Sequence, residues 1–207
     1  FSGAETIMDL ARSAGRYNAR PITDLSAVSE TMLQSPPAGD WLNWRRTLDG
    51  HGHSPLTSIN RDNVSNLQMS WSMGMHAGSN QGTPLVHDGI LFLTHANNLI
   101  QAIDGADGTL LWEYQYDFPR GARLLGGPTR NIAIYEDKLF LATYDAAVVA
   151  IDAKTGQQLW RSVKADYREA FTHSAGPIIA NGVVVSGING CELFTQDGCF
   201  ITGHDPD

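Results

Sequence analysis

Two short segments near the C-terminal end of the sequence carry side chains that could do chemistry. Ser174 supplies a hydroxyl within the segment 172–177, and Gly190-Cys191-Glu192 supplies an accessible backbone followed by a carboxylate. The two segments can act together only if the fold brings them to one place.

The residues between these segments predict how they meet. An apolar stretch runs from Ile178 to Val185 and is interrupted only by Asn181-Gly182. An Asn-Gly pair flanked by apolar residues is typical of a tight turn between two strands. The predicted hairpin would present Ser174 and Glu192 at neighbouring ends of two adjacent strands.

Upstream of the hairpin, the sequence repeats itself. Residues 99–112 and 148–160 share an alternating apolar run, an aspartate, a glycine-containing turn and Leu-Trp, and Trp112 and Trp160 stand 48 residues apart. A third copy begins at Ile201, and a segment ending at Trp71 resembles the tail of an earlier one. Repetition at a period of about 40–50 residues, with several strands per unit, is typical of a β-propeller. We therefore predict an all-β propeller in which each tryptophan covers a neighbouring blade; the alternative is two unrelated hairpins in a sandwich.

The length of the chain limits how much of a propeller it can form. Residues 41–207 provide about three blades, whereas a closed ring needs about four to eight. We interpret the chain as the N-terminal portion of a truncated or nicked protein. Residues 1–40 instead predict a helical lead-in, with one helix over 4–14 and another that starts at Thr23 or Asp24 and runs to Leu33.

The composition excludes several classes of protein. The 207 residues include 21 glycines, 42% are hydrophobic and 17% are charged, which is unlike a disordered chain. The formal net charge of −8 and the dispersed basic residues argue against nucleic acid as a partner. No apolar run approaches the roughly 20 residues of a membrane helix, so no membrane span is predicted.

Together with the tryptophan repeats, the segments 41–47 and 54–67 resemble the quinoprotein alcohol dehydrogenases. This is the methanol and ethanol dehydrogenase-like family that uses pyrroloquinoline quinone (PQQ). The resemblance implies an eight-bladed propeller and the oxidation of alcohols, with electrons passed to a cytochrome c-type acceptor. It also implies a periplasmic location, and it assigns the rest of the ring to the C-terminal part of the propeller.

The resemblance also implies roles for individual residues. Gln81 stands in Gln-Gly-Thr-Pro where the family has glutamate, and Arg130 stands in the motif that faces the quinone. Ser174 matches the family's small hydroxyl, Gly190 and Cys191 contribute backbone contacts to PQQ, and Glu192 is the expected ligand of a catalytic Ca²⁺ or lanthanide ion. The cofactor-binding set and the metal ligand are therefore expected at Gln81, Arg130, Ser174, Gly190, Cys191 and Glu192.

Two departures from the family pattern accompany these matches. Leu124 and Leu125 occupy the places of a vicinal cysteine pair, and Cys191 replaces the usual alanine. The aspartate that takes the alcohol proton in the family is expected beyond Asp207, so no catalytic base is assigned in this chain.

Cys191 and Cys199 are the two cysteines of the chain. The turn-forming pair Asp197-Gly198 could bring two strands together there, and the oxidising compartment implied by the resemblance permits a disulfide. We predict a Cys191–Cys199 disulfide; the alternatives are two free thiols, or Cys199 paired elsewhere.

A second function is consistent with the same repeats. Propellers of outer-membrane assembly carry similar repeats as scaffolds and bind no quinone. The combination of Gln81, Arg130, Ser174 and Glu192 favours the dehydrogenase, because a scaffold has no physical need for it.

Overall fold

The computed structural model describes residues 22–207 except 123, 125, 126 and 195–197. These residues form three antiparallel sheets, two of four strands and one of three, which match the predicted blades. The predicted helix over 4–14 lies outside the described residues. The strands are β1 (Leu85–His87), β2 (Ile90–His95), β3 (Leu99–Asp104), β4 (Leu110–Gln115), β5 (Ala133–Tyr135), β6 (Lys138–Ala142), β7 (Ala147–Asp152), β8 (Gln158–Val163), β9 (Ile178–Ala180), β10 (Val183–Ser186) and β11 (Thr202–His204).

Each sheet is built from strands that follow one another along the chain. The spatial orders are β1-β2-β3-β4, β5-β6-β7-β8 and β9-β10-β11, so every connection within a sheet is local. Because neighbouring strands run antiparallel, the start of the first strand and the end of the second lie at the same end of the sheet. We call the end where β1, β5 and β9 begin the upper end.

The hairpin turns explain why the repeat contains glycine at a fixed place. In the turn from β3 to β4, the Gly108 N–H donates to the Asp104 carbonyl (2.8 Å), and Gly156 does the same toward Asp152 (2.9 Å) between β7 and β8. Gly108 and Gly156 have φ angles of 76° and 71°, a left-handed conformation that glycine adopts most readily. The turn between β9 and β10 at Asn181-Gly182 is also confirmed.

The repeated tryptophans join neighbouring sheets, as predicted. The Trp112 indole N–H donates to the Ala153 carbonyl (3.0 Å), and the Trp160 indole N–H donates to the Pro206 carbonyl (3.0 Å). Trp71 donates to Gly105 in the same way (3.0 Å), although it lies outside any strand. The Trp71 and Trp112 rings cover the glycine turn of the next unit, Trp160 reaches the segment after β11, and each indole N–H finds its acceptor there.

The hydrophobic core lies between the sheets. Phe92, Ile100 and Trp112 of the first sheet pack with Leu139 and Val149 of the second. A smaller cluster that includes Phe140, Val148 and Val184 joins the second sheet to the third. β7 is buried along almost its whole length because sheets cover it on both faces. This buried core therefore holds the ends of the strands in fixed positions.

The lead-in differs from the prediction. The helix, α1 (Glu30–Gln34), starts after Ser29, whose hydroxyl accepts the Met32 N–H (3.2 Å), and neither Thr23 nor Asp24 caps it. The reason is that Val28 is extended and pairs with Glu136 through two backbone hydrogen bonds of 2.8 and 2.7 Å. The helix ends just before Pro36-Pro37, as predicted. None of the described helices is long and apolar enough to cross a bilayer.

Candidate cofactor and metal site

The predicted site residues lie at the upper end of the three sheets. Gln81 precedes β1, Arg130 precedes β5 and Ser174 precedes β9, whereas Glu192 follows β10. Equivalent positions of successive blades thus supply three of these residues. The repeat places Gln81, Arg130 and Ser174 at the same end of their sheets because the first strand of each sheet starts there.

Hydrogen bonds hold the Gln81 segment against the Arg130 segment. The Thr83 N–H donates to the Arg130 carbonyl (3.3 Å), and the Thr94 hydroxyl donates to the Thr129 carbonyl (3.0 Å). A Cβ on Gly82 would overlap the Thr94 hydroxyl, so the close approach requires glycine there. The exposed Gln81 side chain donates to the Ser79 hydroxyl (3.2 Å).

Arg130 and Ser174 are joined directly. The Arg130 Nη1 donates to the Ser174 carbonyl (2.9 Å), which leaves the exposed guanidinium with further N–H donors. The adjacent Asn131 accepts the Gly176 N–H (2.9 Å), and a Cβ on Gly176 would overlap the Asn131 carbonyl. The sequence predicted both residues for one site but did not predict this bond.

Glu192 lies in a tight backbone turn that follows β10 along the chain. Its Oε2 accepts the Gly190 N–H (2.9 Å), and Gly190 has a φ of 97°. A Cβ at Gly190 would overlap the Ala170 carbonyl, so the backbone here lies closer to its neighbour than an alanine would allow. The carboxylate is exposed at the upper end.

Cys191 and Cys199 form the predicted disulfide, with Cα atoms 5.3 Å apart. The free-thiol alternative and the pairing of Cys199 with another cysteine are therefore wrong. The expected strand at Cys191 is also wrong, because Cys191–Phe194 forms a short helix, α2. Asp197 of the predicted turn lies outside the described residues. The Glu192 Oε2 is 3.5 Å and 3.7 Å from the two sulfurs, so the disulfide lies against the candidate ligand.

Backbone pairing connects the Ser174 and Glu192 segments. Thr172 and Asn189 exchange two hydrogen bonds of 2.9 and 3.1 Å, two residues before Ser174 and three before Glu192. Among the described residues, no hydrogen bond links Glu192 to Arg130 or Ser174. The predicted hairpin thus positions both segments side by side without joining their side chains.

Asn98 supports the Arg130 segment, although no sequence motif predicted it as a site residue. Its fully buried side chain accepts the Tyr144 N–H (2.9 Å) and donates to the Thr129 hydroxyl (3.1 Å), one residue before Arg130. The pair Asn97-Asn98 adopts φ angles of 64° and 55°. Asparagine tolerates this conformation better than most residues, so the Asn-Asn pair was the signal available in the sequence.

A second buried network lies beside Asn98. Asp145 is fully buried and receives hydrogen bonds from Thr143 (2.5 Å), Tyr116 (2.9 Å) and Arg161 (2.8 Å). Burial raises the pKa of the Tyr116 hydroxyl above its ordinary value. A cleft of about 550 Å³ opens next to this network, and none of the candidate site residues lines it.

Leu124 and Leu125 stand at the positions where the resemblance led us to expect vicinal cysteines. Leu124 is half-buried, and Leu125 lies outside the described residues.

The residues present fit a PQQ molecule and a hard cation. Glu192 offers an exposed carboxylate for a cation, and Arg130 offers a planar guanidinium suited to carboxylates and quinone oxygens. The close backbone approaches at Gly82, Gly176 and Gly190 leave no room for further side chains beside them.

Comparisons with known proteins show the family to which the chain belongs. The β-propeller domain of PQQ glucose/ethanol/alcohol dehydrogenases matches residues 41–189. A 1-butanol dehydrogenase (quinone) of Thauera butanivorans is 36% identical over 179 residues, which cover 82% of this chain and 28% of that protein.

Two solved structures are similar as well. The quinohemoprotein alcohol dehydrogenase ADHIIG of Pseudomonas putida HK5 superimposes with a TM-score of 0.76 at 29% identity, over 89% of this chain and 28% of that one. A europium-containing methanol dehydrogenase gives a TM-score of 0.75 at 25% identity, over 85% of this chain and 31% of that one. The chain spans about a quarter of the length of the curated relatives it matches. The chain therefore belongs to the PQQ family of glucose/ethanol/alcohol dehydrogenase β-propeller domains.

Proposed function

We propose that this chain forms part of a PQQ-dependent dehydrogenase that oxidises alcohols to aldehydes or ketones. The observation that carries the proposal is the common position of Gln81, Arg130, Ser174 and Glu192 at the upper end of successive sheets, with Arg130 bonded to the Ser174 carbonyl. The names of the relatives support a dehydrogenase rather than a scaffold propeller.

The side chains of the chain have separate tasks in this proposal. Arg130 binds the acidic oxygens of PQQ with its fork of N–H donors, and its bond to Ser174 orients that fork. Gln81 offers an uncharged hydrogen-bonding group, and Ser174 a hydroxyl. Gly190 and Cys191 would contribute backbone contacts to PQQ. When bound, PQQ supplies the two-electron acceptor and the cation supplies a Lewis acid.

Glu192 is proposed as one ligand of that cation. Its carboxylate is exposed, and the Gly190 N–H and the Cys191–Cys199 disulfide hold it in one orientation. Ca²⁺ is the proposed ion. A lanthanide is the second candidate because of the similarity to a europium-containing methanol dehydrogenase. The remaining ligands and the proton acceptor are proposed to come from the C-terminal part of the propeller.

The proposed partners follow from the family. They are an alcohol substrate and a cytochrome c-type electron acceptor, and the proposed location is the periplasm.

The test uses the full-length protein. Apoprotein reconstituted with PQQ and Ca²⁺ is expected to retain quinone absorbance after gel filtration and to reduce an artificial acceptor dye when a primary alcohol is added. The control omits PQQ. If the protein neither retains quinone nor reduces the dye with Ca²⁺ or with a lanthanide, the proposal is wrong.

A further inference from the structure

Lys164 is a half-buried lysine at the upper end, just beyond β8, that none of the roles above uses. Its ammonium donates to the carbonyls of Ser186 (2.8 Å) and Gly187 (2.7 Å). It also lies 5.6 Å from the centre of the Phe200 ring. No carboxylate of the described residues forms an ion pair with it. A partly buried ammonium without an ion pair is costly, and its carbonyl partners offset part of that cost.

These contacts lie on both sides of one loop. Residues 187–194 leave β10 and carry Glu192, and residues 198–201 lead through Phe200 into β11. Lys164 touches the outgoing arm at Gly187 and the returning arm at Phe200, whereas the disulfide joins the arms at Cys191 and Cys199. The loop is therefore clamped twice, once at its base and once beside the carboxylate.

Lys164 also reaches the segment that carries Ser174. Its ammonium is 3.4 Å from the Nε2 of His173, which is buried and whose Nδ1 lies 2.9 Å from the Thr143 carbonyl. Burial holds the pKa of His173 down at about 4, so this imidazole stays neutral and adds no charge beside the lysine.

We infer that Lys164 is a positioning residue that holds the Glu192 loop in the conformation that binds the catalytic cation. This inference rests on the proposed role of Glu192. Lys164 does not touch the cation or the substrate. Its charged hydrogen bonds to Ser186 and Gly187 fix the start of the loop, and its contact with Phe200 fixes the end.

The first test measures Ca²⁺ binding by the full-length apoprotein, by equilibrium dialysis, with and without PQQ. Lys164→Met is expected to weaken Ca²⁺ binding by about tenfold, as the loss of a group that orients a ligand typically does. Lys154→Met is the matched control, because Lys154 is exposed on a turn at the opposite end. Equal Ca²⁺ affinity in Lys164→Met and wild type would overturn the inference. Failure of the wild type itself to bind Ca²⁺ would instead overturn the proposed function.

A second test covers the case in which Lys164→Met does not fold. Burial lowers the pKa of Lys164 to about 8, so the ammonium loses its charge as the pH rises through that value. Wild-type Ca²⁺ affinity is then expected to fall by about threefold between pH 7 and pH 9.5, because neutral hydrogen bonds are weaker than charged ones. Lys164→Arg keeps its charge and is expected to show a flat profile. Among the described residues, the titratable groups that face Lys164 are His173 and His204, and both have pKa values below their ordinary range, so neither changes charge in this window.

The expected fall in Ca²⁺ affinity at high pH cannot result from unfolding caused by deprotonation of Lys164. The pKa of Lys164 is lower in the folded chain than the ordinary value of 10.5, so the folded state binds fewer protons than the unfolded state between about pH 8 and 10.5. The contribution of Lys164 to stability therefore rises with pH in this window. Parallel profiles for wild type and Lys164→Arg would contradict the inference.

Discussion

Single residues at the upper end combine exposure with a fixed orientation. Glu192 and Arg130 both present charged groups to solvent, yet each makes a hydrogen bond to backbone that determines where it points. Such groups can bind a ligand without first losing much side-chain freedom, which lowers the entropic cost of binding. Substitution of either residue should therefore affect ligand binding far more than folding.

Glu192→Ala is expected to abolish Ca²⁺-dependent alcohol oxidation. The cation loses a charged oxygen, whereas the fold loses one hydrogen bond at an exposed site, worth about 1 kcal/mol. Dye reduction at several Ca²⁺ concentrations and thermal melting of the apoprotein measure the two effects. Glu169→Ala is the control, because Glu169 is exposed at the same end of the sheets. Full activity of Glu192→Ala without added Ca²⁺ would contradict the assignment of this ligand.

Arg130→Lys is expected to weaken PQQ retention despite the conserved charge. Lysine has no planar fork and cannot bond to Ser174 and to an acidic ligand in one plane. Quinone absorbance after gel filtration measures the occupancy, and apoprotein melting should stay near that of wild type. Arg168→Lys, at an exposed arginine paired with Asp166, serves as the control. Quinone occupancy equal to that of wild type would show that the fork is not needed.

At the scale of elements, the loop between β10 and β11 is the least regular part of the site. Its described residues include the short helix α2, and the Cys191–Cys199 disulfide and Lys164 hold its two arms. Cross-links of this kind limit the conformations that a loop can adopt.

Loss of the disulfide is expected to destabilise the loop and to weaken Ca²⁺ binding by Glu192. Closing so short a loop contributes about 2–3 kcal/mol to the free energy of unfolding in the chain-entropy view. The double variant Cys191→Ser/Cys199→Ser should therefore melt at a lower temperature and bind Ca²⁺ less tightly. Mass spectrometry of the non-reduced wild type should find no alkylated thiol; alkylation of both cysteines without reduction would disprove the bridge.

At the scale of the whole molecule, the sheets are held together by the tryptophans that reach from one unit to the next. The Trp112 ring lies over Gly156, and a Cβ there would come within 2.7 Å of two ring atoms. The same glycine has a positive φ, so the turn and the contact between sheets depend on one residue. The stability of each sheet therefore depends in part on its contact with the neighbouring sheet.

Gly156→Ala is expected to lower the free energy of unfolding by about 1–3 kcal/mol, because it adds left-handed strain and displaces the Trp112 ring. Denaturant unfolding followed by tryptophan fluorescence measures this loss. Gly39→Ala is the control, since a Cβ at Gly39 meets nothing within 4 Å. A loss no larger than that of the control would show that the contact between sheets does not need glycine.

The sequence alone was sufficient for the repeated architecture. Alternating apolar residues, turn glycines and Leu-Trp pairs act over a few neighbouring residues, so the hairpins and the Asn181-Gly182 turn were predictable. The 48-residue spacing then placed Trp112 and Trp160 against the next unit of the repeat, where the structure shows them. The candidate site residues came from motifs that the chain shares with a known family.

The tertiary structure decided what depends on contacts between distant segments. The start of α1 was mispredicted because Val28 pairs with Glu136, more than one hundred residues away, and this pairing overrides a local cap signal. The Arg130 bond to Ser174, the Asn98 link to Thr129 and the Lys164 clamp join residues on different blades. A sequence pattern records the period of each strand, but only the packing of the sheets determines which strand ends meet.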